Sequence, residues 1–172
     1  MTKSVAKEAE LLLAVLMEHE ELLAELYRAY GERFGEHLDF WMELSQEETY
    51  HAGWLYDLQH EIGDCPDAMV VERFPVAAVE TSIKYVKRQI EKVGEPQFKH
   101  VNALSIALGL ETALIENKFF EVLDGDHPRV KQVLQLLKQD TREHIEMIRD
   151  AMRLEANQEG IDGGVPLDLE CY

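Results

Sequence analysis

At 172 residues, with 46% hydrophobic and 30% charged side chains, the chain is long enough for one domain with its own core. Its 34 acidic residues against 17 basic ones leave a formal charge of −17. That excludes a nucleic-acid binder, whose phosphate contacts need a basic surface; it draws in cations, although solubility alone accounts for it.

Ser4 can cap a first helix that runs to about Gly31 or Gly35. The run Leu11 to Met17 within it is flanked by Glu8, Glu10 and Glu18 and reads as helix rather than as a signal peptide. No apolar run approaches the ~20 residues that span a bilayer, so no membrane partner is expected. A second helix is expected from near Glu36 to Ile62, stopped by Gly63-Asp64-Cys65-Pro66. After a loop to Phe74, Pro75 opens a shorter helix that reaches Val93 and Gly94. Pro96 opens a further long helix ending at Gly125, and Asp126-His127-Pro128 starts the last one, to about Gln158. The expectation is an all-α four-helix bundle over residues 1–158, two antiparallel hairpins joined by a crossover with a short extra helix, followed by an irregular tail, 159–172. Cys65 and Cys171 lack a Cys-x-x-Cys spacing, which argues against a disulfide framework, a zinc ribbon or a rubredoxin-type iron site and makes a reducing cytoplasm the default.

Ligand-type residues interrupt the apolar stripes. In the second helix Phe40, Leu44, Glu48, His51, Leu55, Leu58 and Ile62 recur at three- and four-residue steps, which sets Glu48 and His51 on the inner face. A buried carboxylate must be paired, protonated or metal-bound. Glu-x-x-His on one helix offers an oxygen and a nitrogen donor about one turn apart; a buried ion pair is the competing explanation. The first helix places Glu25 on the stripe Leu11, Ala14, Glu18, Leu22, Glu25, Ala29. A later one places Glu111 among Leu104, Ala107 and Leu114, and the last sets His144 among Val130, Val133, Leu137, Ile148 and Ala151. Carboxylate and imidazole donors together suit iron, manganese or zinc. The two hairpins also carry a faint repeat, in which Leu44 to His51 lies beside Leu137 to His144, each with an acid four before its histidine.

The segments Glu25-Leu26-Tyr27-Arg28-Ala29-Tyr30 and Phe40 to Ala52 resemble the ferritin-like superfamily, more closely its rubrerythrin branch, and the similarity covers about Glu18 to Met152. The resemblance implies a centre of two iron ions held by Glu25, Glu48, His51, Glu111 and His144. In it Glu25 and Glu111 are terminal ligands, Glu48 bridges, and each histidine gives one nitrogen. It implies oxidation of ferrous iron by oxygen or peroxide, for iron handling or oxidative-stress defence. At the place of the family's second bridging glutamate stands Thr141; Asp140, about 40° from His144 on the helix, is the candidate replacement. The paired Cys-x-x-Cys motifs of a rubredoxin module are absent, so an electron-fed cycle needs a separate donor protein. A homodimer or larger homo-oligomer is expected by analogy.

Two other readings compete: a non-catalytic bundle with a degenerate site acting in assembly or protein binding, and a structural zinc or manganese site. Tyr30, Tyr50 and Tyr56 are read as ordinary aromatics. His19, His37, His60, His100 and His127 are read as surface or capping residues, and Glu143 and Glu146 as non-ligands.

Overall fold

The computed structural model describes residues 2–63, 70–71, 76–116, 123–124 and 128–158. Five helices account for nearly all of them: α1 (Thr2–Arg33), α2 (Leu38–Gly63), α3 (Val76–Lys92), α4 (His100–Glu116) and α5 (Pro128–Gln158). Helix α1 packs along α2 and α3, α4 along α5, and the two hairpins meet where α2 runs beside α5. No helix among the described residues is long and apolar enough to cross a membrane.

The element boundaries depart from the sequence pattern in three places. Gly31 lies inside α1 rather than at its end. A Cβ there would stand 3.2 Å from Leu38 Cδ1 and 3.3 Å from Trp41 Cβ, so glycine lets the two helices approach at the hairpin mouth. The chain turns through a 3-10 segment, Gly35–His37, before α2. Pro96 sits in a turn, and α4 starts four residues later, with Asn102 Oδ1 accepting the Lys99 amide at 2.9 Å. The helix expected to reach Gly125 has given way by Leu123–Asp124, which pairs antiparallel with Val70–Val71 as a two-residue ribbon, β2 with β1. Cys65, His127, Cys171 and the tail 159–172 lie outside the described residues.

The core follows the helical period. On α1 the most deeply buried apolar positions include Leu12, Leu13, Leu16, Leu23, Leu26, Tyr27 and Tyr30; α2 contributes Trp41, Leu44, Leu55 and Leu58, and α5 Val130, Val133, Leu137 and Ile148. An aromatic layer closes one end, where Trp41 lies 4.9 Å from Tyr30, edge to face, and Tyr30 stacks on Phe98 at 5.8 Å. The opposite half of the core is interrupted by Glu20, Glu48, His51, Glu111, Thr141 and His144, all at most 2% exposed. So many polar groups in an apolar interior need an explanation.

Candidate metal centre

Each helix of the two hairpins delivers one part of this cluster. Glu20 comes from α1, Glu48 and His51 from α2, Glu111 from α4 and His144 from α5. Two groups of donor atoms converge within 4.8 Å: Glu20, Glu48 and His51 form one, Glu48, Glu111 and His144 the other. Glu48 belongs to both. Its Oε2 lies 3.0 Å from His51 Nδ1 and its Oε1 3.0 Å from His144 Nδ1, while His144 Nδ1 is also 3.5 Å from Glu111 Oε1. The two imidazoles stack at 5.5 Å with the shared carboxylate between them.

The far nitrogens of both rings are taken by carboxylates of the opposite hairpin. His51 Nε2 on α2 faces Asp140 of α5 at 3.3 Å, and His144 Nε2 on α5 faces Glu47 of α2 at 2.6 Å. The centre therefore has an internal two-fold likeness: Glu20 answers Glu111, Glu47 answers Asp140, and His51 answers His144. Only Glu48 lacks an acidic counterpart, because position 141 is threonine. Its hydroxyl turns away to donate to Leu137 O at 2.9 Å within its own helix.

With a carboxylate close to every ring nitrogen, the surroundings favour the doubly protonated form of both histidines, since a carboxylate only accepts. Burial by itself would lower both histidines; Glu48 raises His51 against it, and Glu111 with Glu48 lift His144 to about 12. Burial would push Glu48 up, but the imidazoles of His144 and His51 hold it well below the usual carboxylate range. Glu20 goes the other way. Burial and the neighbouring Glu48 raise it well above that range, so it keeps its proton. Glu111 is raised by burial and by Glu48, and its Oε1 accepts the Tyr27 hydroxyl at 2.6 Å. Protons thus hold together donor atoms that a cation would otherwise bridge. The fit to a cation is incomplete without one: Glu20 Oε1, Glu48 Oε1, Glu111 Oε2 and His144 Nδ1 are buried with no well-aligned hydrogen bond among the described residues.

No protein-family model, curated protein or solved structure matches this chain. The geometry alone carries the assignment of residues. Glu48, His51, Glu111 and His144 are brought together, whereas Glu25 is not. It is exposed, about 140° around α1 from Glu20, because the buried stripe of that helix runs Leu13, Leu16, Glu20, Leu23, Tyr27, Tyr30 and the stripe through Glu25 lies outside it. Asp140 is in place but not among either group of converging donors. It flanks the inner face marked by Leu137, Thr141, His144 and Ile148, and it meets the outer nitrogen of His51 rather than the space between the imidazoles. Sequence reasoning missed Glu20, Tyr27 and Glu47. Leu16, Met17, Leu23 and Ala24, three and four residues either side of Glu20, marked it, and the hairpin repeat already set Glu47 opposite Asp140. Tyr50 and Tyr56 are exposed and take no part, and Glu143 and Glu146 face outward.

A third group, His37, His100 and Glu155, lies at the aromatic end of the bundle. Its chemistry favours a clasp over a metal. The Trp41 indole donates to His100 Nε2 at 3.1 Å, which places the proton of a neutral imidazole on Nδ1, 2.6 Å from Glu155 Oε2. An ion on Nδ1 would have to break that indole bond. The His37 ring lies parallel over His100, 2° between planes and 3.7 Å apart, so no ion can lie in both ring planes. His37 keeps 29% of its side chain exposed, but His100 is not the surface residue the sequence suggested. Nor is His19, which is fully buried with Nε2 2.8 Å from Ser82 Oγ; burial lowers it to about 4 despite the opposing Glu48.

Proposed function

We propose that the chain is a ferritin-like carboxylate protein that binds two divalent transition-metal ions, iron before manganese or zinc, side by side in its bundle interior. The observation that carries this reading is the pair of three-donor groups sharing Glu48, with buried oxygen and nitrogen atoms left short of hydrogen bonds around it. Glu20, Glu48 and His51 would hold one ion, and Glu48, Glu111 and His144 the other. Both histidines would ligate through Nδ1 while their Nε2–H groups stay with Asp140 and Glu47, the arrangement that fixes ring orientation and raises donor strength. Bound iron supplies one-electron chemistry toward oxygen or peroxide. The residues supply the rest: Glu48 spans both positions, Tyr27 steadies Glu111, and the apolar layers above and below exclude bulk water. The corresponding reaction is oxidation of ferrous iron by oxygen or peroxide in iron handling or oxidative-stress defence, with reducing equivalents from a separate donor protein if it cycles.

A one-ion reading has support of its own in Thr141. Three carboxylates against two divalent cations leave one positive charge in a buried site, which a single ion would avoid. Metal analysis of the purified protein, followed by ferrous titration in air, separates the cases. Two iron ions per chain with rapid colour on adding ferrous salt support the reading. A redox-silent zinc that raises the melting temperature would make the site structural. Full helicity with no metal affinity would leave a scaffold for assembly.

A further inference from the structure

The aromatic layer at one end of the bundle touches the metal centre through Tyr27. Its hydroxyl donates to Glu111 Oε1 at 2.6 Å, and its ring centroid lies 5.7 Å from that of Trp41. The Trp41 indole donates to His100 Nε2 at 3.1 Å, and the His37 ring lies parallel over His100 at 3.7 Å. Tyr27 and Trp41 are fully buried and His100 nearly so, whereas His37 is partly exposed. Four rings in contact thus lead from a buried ligand position to the surface.

A buried phenol or indole ordinarily finds a hydrogen-bond partner, and packing alone accounts for that. The choice of partners says more. Both acceptors are bases, a carboxylate for Tyr27 and the bare imidazole nitrogen of His100 for Trp41. Behind His100 stands a third base, the partly exposed Glu155, whose Oε2 accepts the Nδ1 proton at 2.6 Å. A phenol or indole that loses an electron becomes a strong acid. With a base at hydrogen-bond distance the proton leaves together with the electron, and no net charge is stranded in the core.

We propose that Tyr27 and Trp41 are an electron relay between the metal centre and the aromatic end of the bundle, with His100 and His37 as its outlet. The role deepens the metal reading and rests on it. Peroxide takes up two electrons on reduction to two waters, and a single bound ferrous ion supplies only one. Thr141, which leaves the centre one carboxylate short, favours that single occupancy. Tyr27 supplies the second electron: peroxide, one ferrous ion, the Tyr27 phenol and one proton give ferric iron, two waters and the Tyr27 phenoxyl radical. The O–O bond breaks, and the hydroxyl proton leaves through Glu111. Trp41 then passes an electron to Tyr27, which recovers a proton through Glu111, while the indole proton goes to His100 and the Nδ1 proton to Glu155. A second ferrous ion, in solution, returns an electron to Trp41 across the His37–His100 stack, and a proton comes back to the indole. In sum, peroxide, two ferrous ions and two protons become two ferric ions and two waters, with one ion inside the protein.

The test is freeze-quench electron paramagnetic resonance on the full chain, loaded with one ferrous ion and mixed with an equal amount of peroxide. An indole radical, identified by narrowing with ring-deuterated tryptophan, is expected in wild type and Trp54→Phe and absent from Trp41→Phe. Trp54 is the comparison, because its ring lies 5.3 Å from His51 but outside the layer. Tyr27→Phe should lower the radical yield about tenfold, and His37→Leu, at the exposed end, should slow its decay with excess ferrous iron about tenfold. Iron content and circular dichroism on the same samples show each variant loaded and folded. Metal-free protein treated with hexachloroiridate(IV), an outer-sphere one-electron oxidant, separates this role from the metal reading. There the buried Trp41 is expected to be oxidised at least as fast as the partly exposed Trp54, and His37→Leu to slow it about tenfold. A radical on Trp54, Tyr50 or Tyr56 in place of Trp41 overturns the relay. So does a metal-free Trp41 that reacts only after Trp54 is consumed, whether or not iron binds.

Discussion

Replacing Thr141 with glutamate would restore the carboxylate that the internal likeness of the two hairpins lacks. Position 141 precedes His144 by three residues, as Glu48 precedes His51, and its side chain is 2% exposed. In protein stripped of metal, the new acid would join Glu20, Glu48 and Glu111 with no new cation beside it. An uncompensated buried charge costs about 3–5 kcal/mol, and the lost hydroxyl bond to Leu137 adds to it. For a chain of this size that is a fall in melting temperature on the order of 10 °C. The deficit should shrink below the ordinary carboxylate range, where the added group takes up a proton.

With metal the sign reverses. Two divalent ions carry four positive charges against three carboxylates in the natural chain and four in the variant. One added negative charge at ~4 Å is worth about 4 kcal/mol at an effective dielectric of about 20. Desolvation of the new group takes back part of that, and about 3 kcal/mol net corresponds to roughly a hundredfold tighter second ion. Thermal melting with chelator and with ferrous iron or zinc, together with metal titration against a competing chelator, measures both arms. If Thr141→Glu melts with the wild type in chelator and binds metal no better, position 141 does not face the cations and the two-fold picture of the centre is wrong.

Three further outcomes follow from the geometry. Glu20→Gln should change stability in chelator by less than about 1 kcal/mol, since Glu20 already holds its proton, yet lose at least about tenfold in metal affinity; Glu25→Gln should leave both within error. Asp140→Asn and Glu47→Gln should each lower metal affinity about 10–100-fold while the helical signal stays, because they free one imidazole to rotate; unchanged affinity in both would remove them from the site. In chelator, stability should peak near pH 4.5. Depressed Glu48 loses its contribution as acid is added below that, whereas raised Glu20 and Glu111 cost stability above pH 4.5 and raised His51 and His144 cost more above 6.5. Metal should displace those protons and move the optimum upward, which melting curves across pH with and without zinc would show.

How far the centre could be read from the sequence depended on how sharply each helix defined its own inward side. On α5 the apolar stripe is strongly phased, and on α2 the buried Leu44, Leu55 and Leu58 bracket the ligand positions, so Glu48, His51 and His144 fall where the three- and four-residue steps put them. Helix α1 is ambiguous. It carries leucine, valine or alanine on several neighbouring faces between Leu11 and Leu26, and two interleaved stripes each contain a glutamate. Only packing against α2 and α3 chooses the stripe through Glu20 and Tyr27, which is why the sequence pointed to Glu25 and passed over Glu20. Asp140 shows the other limit. Helical angles place a residue within about 20° but say nothing about which neighbour its short side chain meets. Here the neighbour is the far nitrogen of a histidine from the other hairpin, a contact set by how α2 and α5 lie side by side. The repeat of Glu47 and Asp140 was visible beforehand, yet its meaning was not, because each acid serves the opposite hairpin rather than its own. A motif search confined to one helix would pass over both. Pairing the two halves of the chain and asking which acid of one could hold the histidine of the other would have found them.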